Sequence, residues 1–232
     1  MSLAIDVIIP AYNEAQAIGK VLTEIPKTVR EIIVVNNGSE DATAREAQKG
    51  GATVLHENNK GYGYACLKGI EYLKQKTKPP DIVVFLDGDY SDHPHELNLL
   101  TQSIIAGTCD FVLGARVKAY REKGALTPQQ IFGNGLAAFL MKKLYGSHFT
   151  DLGPFRAIRW STLLALNMQD KTYGWTVEMQ LKILRKKIPY KEVAVHYKNR
   201  IGQSKVSGTV KGTILAGIKI IGWIVKYYGA DD

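Results

Sequence analysis

The chain has 232 residues, 45% apolar and 22% charged. That balance describes a globular protein with a core of its own and excludes disorder, collagen-like repeats and coiled coil. Thirty Lys and Arg against 22 Asp and Glu leave a formal charge of +8.

The charge is unevenly placed. Residues 1–181 carry 19 side chains of each sign, whereas 182–228 carry eleven basic ones and a single acidic one, Glu192. Such an asymmetry points to an anionic partner (nucleic acid, a phosphate-bearing ligand or an anionic membrane surface) or to a merely solubilising face. Cys66 and Cys109 make neither a disulfide framework nor a zinc spacing, and read as buried thiols of a cytoplasmic protein. No signal peptide is recognisable, and no run of 18 apolar residues predicts a membrane-spanning helix.

In chain order, residues 4–9 read as a buried strand ending at Pro10, and Asn13 caps a helix over 14–24. A second strand over 31–36 precedes a helix from Ser39 to 48. A short strand at 53–56, a helix at 61–76, a strand at 81–86, a helix at 95–106 and a strand at 110–113 follow. Continuous β-branched runs separated by helices predict an α/β fold, a doubly wound and mostly parallel sheet with helices on both faces. Residues 116–129 are polar, hold Gly124 and Pro128, and read as a mobile loop over a site. Beyond it come a helix at 130–144, strands at 155–160 and 190–197, and between these a helix at 177–187.

Ligands of such sheets bind beyond the carboxyl ends of the strands. Asp87-Gly88-Asp89 follows the fourth strand directly. Two carboxylates flanking a glycine repel unless a cation or donors satisfy them, and an all-oxygen set suits Mg²⁺ or Mn²⁺ shared with substrate phosphates. Ser91 offers a further oxygen; the alternative is an acidic turn capping the next helix. Pro10-Ala11-Tyr12-Asn13-Glu14 and Asn36-Asn37-Gly38-Ser39 follow the first two strands, offering an aromatic ring and short polar groups at the same rim. Gly61-Tyr62-Gly63 fails as a dinucleotide fingerprint because Cys66 stands at the third glycine. Its glycines instead let a helix start approach the pocket closely.

Taken together these segments resemble the family-2 glycosyltransferases, which have the GT-A fold. The resemblance continues at Gly114-Ala115-Arg116, Asp151-Leu152-Gly153-Pro154-Phe155-Arg156, Trp175-Thr176-Val177-Glu178-Met179 and Arg200-Ile201-Gly202-Gln203-Ser204-Lys205. The later motifs look most like the polyprenol and dolichol phosphate mannosyl- and glucosyltransferases. The resemblance implies that Pro10, Tyr12, Glu14, Asn37, Ser39 and Gly61 bind the nucleotide of a UDP- or GDP-hexose. It implies that Asp87 and Asp89, with Ser91, hold Mg²⁺ or Mn²⁺ on the diphosphate. Where the family usually has Asp-Asp-Gly-Ser, this chain has Asn36-Asn37-Gly38-Ser39. An amide donates as well as accepts, so contact with the base survives but the base's identity is open.

Direct displacement at the anomeric carbon is the chemistry the family performs, with inversion. A hydroxyl acceptor then needs a general base, for which Asp151 and Glu178 are the candidates; they serve otherwise to orient arginines such as Arg156. A lipid-linked phosphate needs no base but needs cations, and Arg116, Arg200 and Lys205 match phosphate-binding positions. Trp175 reads as a packing residue.

Residues 209–228 form an amphipathic helix with Lys211, Lys219 and Lys226 at two-turn intervals. It is too charged to span a bilayer and suits a membrane interface, packing on the domain, or a homodimer seam. The expected organisation is a catalytic domain over 1–205, its nucleotide-sugar half about 1–115 and its acceptor half 116–205, with the C-terminal helix in 206–232. The leading expectation is an inverting hexosyltransferase peripheral at the cytoplasmic membrane face. A glycosyltransferase acting on a glycerolipid or saccharide hydroxyl, and a non-catalytic nucleotide-binding protein, are its rivals. Nucleic acid is the least expected partner, because the basic segment holds no recognition motif.

Overall fold

The computed structural model describes residues 3–202 and 210–228. Gln203, Ser204, Lys205 and the 205/206 boundary lie outside the described residues, as does the side chain of Lys211. The chain alternates strands and helices: β1 (Ile5–Ala11), α1 (Ile18–Glu24), β2 (Val29–Asn36), α2 (Thr43–Lys49), β3 (Thr53–His56), α3 (Tyr62–Lys74) and β4 (Ile82–Phe85). Then come α4 (Leu97–Ile105), β5 (Phe111–Ala115), α5 (Pro128–Tyr145), β6 (Arg156–Arg159), α6 (Trp160–Leu166), α7 (Trp175–Arg185), β7 (Tyr190–Ala194) and α8 (Val210–Tyr228).

The seven strands form one sheet in the order β3-β2-β1-β4-β6-β5-β7. All pairings are parallel except those of β6, which runs antiparallel to both β4 and β5. Alternate strand residues feed two cores. Val7, Ile9, Val34, Val84 and Val112 pack with α1 and α4; Ile8, Ile33, Val35, Phe85 and Phe111 pack with α3, α5, α6 and α7. Burial on both faces is why these strands read as unbroken apolar runs. The expected doubly wound sheet with helices on both faces is therefore present. The strand order turns back between β1 and β4, so their carboxyl ends open a crevice on one rim.

Three local differences from expectation have physical causes. Helices α1 and α2 start four residues later than predicted, because the preceding residues form interlocking turns described below. The apolar run at 155–160 ends in the reversed strand β6, and Trp160 opens the unpredicted helix α6; a buried run carries no signal of its direction. Segment 116–127 is no free-standing loop. It holds a 3₁₀ turn at Lys118–Tyr120 and is hydrogen-bonded to the chain after β7, through Glu122 N to Tyr197 O (2.8 Å) and Asn199 N to the Glu122 carboxylate (2.8 Å).

Helix α8 packs along α5 and α7, with Ile224 fully buried and its carbonyl accepting from the Tyr145 hydroxyl (2.5 Å). Lys219 and the Trp223 indole turn inward to Asp170 (2.7 and 2.8 Å). The opposite side, with Ile218, Val225 and Tyr228, is exposed. Among the described residues no helix is long and apolar enough to cross a membrane.

Candidate active site

The turns after β1 and β2 hold each other. Asn13, in the left-handed region at φ 55°, donates its N–H to Ser39 Oγ (3.0 Å), and its side-chain oxygen accepts from Glu40 N (2.9 Å). Glu14 N donates to Thr43 Oγ1 (2.8 Å) and Ala15 N to Asp41 (3.1 Å). Three backbone donors that would otherwise begin α1 are thereby satisfied by side chains of the neighbouring turn. The result presents Pro10, Ala11, Tyr12 and Glu14 to a cavity of about 320 Å³. Lys60 closes its far side, donating to the Tyr12 hydroxyl (3.1 Å) with its ammonium 4.9 Å from the ring centre.

Asn37 lines this cavity, but its amide is largely committed. Nδ2 donates to Glu57 O (3.1 Å) and Asn59 O (2.7 Å), and Oδ1 accepts from Gly61 N (2.8 Å). A carboxylate here would face two carbonyl oxygens, which explains an amide where the family usually has an acid. Gly61 has φ 153°, and a side chain on Gly61 or Gly63 would overlap the backbone of Lys171 or Asp170. The glycines therefore let α3 start against the 167–174 loop, with Tyr64 N donating to Lys171 O (3.0 Å). That loop in turn puts Thr172 and Tyr173 into the cavity wall.

Asp87 and Asp89 stand together at the end of β4, on the cavity floor. Asp89 accepts from Ser91 N (2.9 Å) and Ser91 Oγ (2.5 Å) on one oxygen and lies 3.2 Å from Arg200 on the other. Arg200 also reaches Glu14 (2.9 Å), 186 residues away in sequence. It is brought there because the chain after β7 is pinned to the β4 end, through Lys198 N to Ser91 O (2.9 Å) and Ile201 N to Asp89 O (3.0 Å). Asp87 Oδ1 is buried and has no hydrogen-bond partner among the described residues. Burial and the charge of Asp89 push the Asp87 carboxyl up to about 7. Buried Asp92 is pushed the same way by burial and by both neighbours. A buried, partly orphaned acidic pair is what a divalent cation would relieve. Among the described residues no group of three or more acidic, His or Cys side chains forms a cage by itself. That suits a cation whose shell is completed by substrate oxygens, as Mg²⁺ commonly has.

Asp87, Asp89, Tyr62, Thr172, Tyr173 and Arg200 also border a second cavity of about 340 Å³. Its remaining wall is largely apolar, with Leu126, Leu136, Leu152, Ile220 and Ile221, and it is floored by Arg116. Asp151 grips Arg116 through Nε and Nη2 (2.8 Å each) and also accepts from the backbone N–H of Arg116 and Leu152 (2.9 Å each). The guanidinium holds the Asp151 carboxyl below the usual carboxylate range despite its burial. The Tyr197 ring lies 5.1 Å from the Arg116 guanidinium carbon, and burial raises its hydroxyl to about 12.

A family model described as glycosyl transferase family 2 matches residues 6–164. The chain belongs to this family. An uncharacterised glycosyltransferase of Mycobacterium tuberculosis is 31% identical over 92% of this chain and 94% of its own. A dolichyl-phosphate hexose transferase of Haloferax volcanii is 30% identical over 90% and 89%. Among solved structures, the glucosyl-3-phosphoglycerate synthase of Mycobacterium tuberculosis, crystallised with Mn²⁺, UDP and glucosyl-3-phosphoglycerate, superposes with a TM-score of 0.77 at 20% identity, covering 99% of this chain and 81% of that one. The protein is a family-2 glycosyltransferase, and its fold is GT-A.

Within this glycosyltransferase the structure brings Pro10, Tyr12, Glu14, Asn37, Gly61, Asp87, Asp89, Arg116 and Arg200 to the two cavities. Ser39 and Ser91 line neither; Ser39 holds the Asn13 turn, and Ser91 orients Asp89. Asp151 sits behind Arg116. Glu178 is fully buried at the start of α7, accepting from Gln169 N (2.8 Å), Asp170 N (2.7 Å) and Lys182 Nζ (2.7 Å). Its carboxylate supports the 167–174 loop and faces neither cavity. Among the described residues Arg156 pairs with no carboxylate; it donates to the carbonyls of Thr176 (2.9 Å) and Gly153, and burial lowers it to about 10. Trp175 packs edge-on against Phe85 in the core. Sequence reasoning missed Lys60, Tyr62, Thr172, Tyr173 and Tyr197 as lining residues. Of these, Lys60 beside the Gly61 motif and Tyr62 within it had a local signal.

Proposed function

We propose that this glycosyltransferase moves a hexose, with inversion, from a UDP- or GDP-hexose to a lipid-linked phosphate at the cytoplasmic face of a membrane. One observation carries the acceptor's chemistry: among the described residues, the second cavity is lined by no carboxylate except Asp87 and Asp89. Asp151 is spent on Arg116 and Glu178 on the 167–174 loop. A hydroxyl acceptor would lack its general base, whereas a phosphate needs only cations to position it. The apolar wall beside Arg116 suits a hydrocarbon tail, and the dolichyl-phosphate transferase names among the relatives support the same class.

The division of labour follows the chain. Residues before about 115 supply most of the donor chamber, joined by Thr172, Tyr173 and Arg200; those after it supply most of the acceptor chamber, joined by Tyr62, Asp87 and Asp89; and 206–232 supply the C-terminal helix. Tyr12 stacks on the base and Lys60 covers it, worth about 1–3 kcal/mol by analogy with base stacking elsewhere. Asp87 and Asp89 would hold Mg²⁺ or Mn²⁺, ions that accompany UDP in structurally similar glucosyl-3-phosphoglycerate synthase crystals. Such an ion supplies Lewis acidity to the departing diphosphate. Arg116, aimed by Asp151, and Arg200, at the junction of both chambers, place the acceptor phosphate and offset its repulsion from the donor. Lys205 is proposed to join them. An acceptor phosphate oxygen forms the new bond to the anomeric carbon as the bond to the diphosphate breaks, and the electron pair leaves with the diphosphate.

The test is transfer from a panel of labelled nucleotide sugars, with Mn²⁺, to three acceptors: a short isoprenyl phosphate, phosphoglycerate and a glycerolipid alcohol. Product on the isoprenyl phosphate is expected. Product on phosphoglycerate or the alcohol alone refutes the lipid-phosphate reading.

A further inference from the structure

Helices α5 and α8 lie side by side, and each turns an apolar face outward. Phe132 is 73% exposed and Phe139, two turns along α5, 54%; Ile218 is 63% exposed and Val225, two turns along α8, 59%. Tyr228 and Ile131 extend the same face. Single exposed apolar residues are ordinary, but two adjoining helices showing paired rows of them are not. The second cavity opens between these same helices, where Gly133 and Leu136 of α5 face Gly217, Ile220 and Ile221 of α8. Ile221 belongs to both the cavity wall and the exposed face.

Charge selects among possible coverings of this face. The two helices hold no Asp or Glu, and Lys142, Lys143 and Lys226 stand exposed on them, whereas Lys219 is turned inward to Asp170. Lys142 and Lys143 flank Phe139, with the Lys143 ammonium 5.9 Å from its ring centre, and exposed Lys226 lies over Trp223. A second copy of this chain would set lysine against lysine with no counter-charge. An anionic bilayer supplies both the apolar phase and the counter-charge.

We propose that the α5–α8 face docks flat on the anionic leaflet of a bilayer, so that the mouth of the acceptor chamber opens directly into the lipid. The identity of the occupant rests on the lipid-phosphate reading above; the apolar face and its charge do not. Both helices dock, not α8 alone. The aromatic residues of α5 enter the acyl boundary, Lys142, Lys143 and Lys226 lie at the headgroups, and a lipid-borne phosphate reaches Arg116 without leaving the membrane.

The experiment is co-sedimentation of the full chain with phosphatidylcholine vesicles, with and without phosphatidylglycerol, and no acceptor present. The wild type is expected in the pellet with anionic vesicles and to be released in part by salt. Phe132→Asp and Val225→Asp should each weaken binding by roughly tenfold or more. Lys142→Gln with Lys143→Gln should weaken binding to anionic vesicles only, by roughly fivefold per charge. All variants should bind UDP with Mn²⁺ as the wild type does, showing an intact donor chamber; Phe132→Ser and Val225→Ser replace any Asp variant that does not fold. A wild type that stays in the supernatant with both vesicles, or Asp variants that sediment undiminished, overturns docking. So does a wild-type dimer in sedimentation velocity that the same substitutions dissolve, because a second copy then covers the face. Transfer to a soluble isoprenyl phosphate separates the two readings. Sedimentation without transfer refutes the acceptor and leaves docking standing; transfer without sedimentation refutes docking alone.

Discussion

Replacing Asp151 by Asn separates a structural carboxylate from a catalytic base. Asp151 is nearly buried, as is the Arg116 side chain, and its two oxygens accept four hydrogen bonds between 2.8 and 2.9 Å. An amide turns one of these acceptors into a donor facing a guanidinium or a backbone N–H. Breaking one partner of a buried pair costs about 3–5 kcal/mol, because the other charge remains buried. For a chain of this size each kcal/mol lowers Tm by about 2–4 °C, so a fall of roughly 6–20 °C is expected. The folded pKa of Asp151 lies below its unfolded value. Its stabilisation is thus complete above the unfolded carboxylate range, near 3.9, and is lost as pH falls through the folded value. The Tm gap between wild type and Asp151→Asn should be constant from about pH 6 to 8 and close in acid. The double variant Arg116→Met/Asp151→Leu should recover much of the stability but not the transfer. Thermal unfolding across pH, with single-turnover transfer on the same samples, decides. An Asp151→Asn protein with unchanged Tm, a kcat down by about 10²-fold or more and a lost acidic limb in its pH profile would mean that Asp151 is a base.

Three further outcomes are expected. Asp87→Asn should abolish transfer and Mn²⁺ binding in the presence of UDP, read by electron paramagnetic resonance. It should also raise the Tm of the metal-free protein by about 2–4 °C per kcal/mol recovered, since the repulsion between Asp87 and Asp89 is removed. Asn37→Asp should restore the usual family residue yet weaken the protein by about 1–3 kcal/mol in urea unfolding, because two carbonyls lose their donor. Tyr12→Ala should raise the Kd of UDP by roughly 5- to 150-fold in calorimetry with Tm little changed, the range of about 1–3 kcal/mol for one stacked base.

The strand ends were legible in the sequence because a parallel sheet buried on both faces needs unbroken apolar runs, and its chemistry gathers where those runs stop. Tyr12, Glu14, Asp87 and Asp89 each follow such a run within a few residues. The sheet class, the helices between its strands and the acidic pair were therefore determined locally. Other features depend on what packs across long sequence separations. Nothing near Asn37 foretells that Glu57 and Asn59 turn their carbonyls toward it, or that Glu178 is consumed by the 167–174 backbone. The reversed direction of β6 escapes periodicity, since an apolar run reads alike both ways. Arg200 meets Glu14 only because the chain after β7 is tied to the end of β4. The second cavity has walls from α5, the 167–174 loop, the segment after β7 and α8, and exists only once those pieces assemble. The sequence alone placed the reactive groups at a rim; tertiary packing decided which of them face a cavity and which are spent holding the others, because a side chain's free valence is set by its neighbours in space.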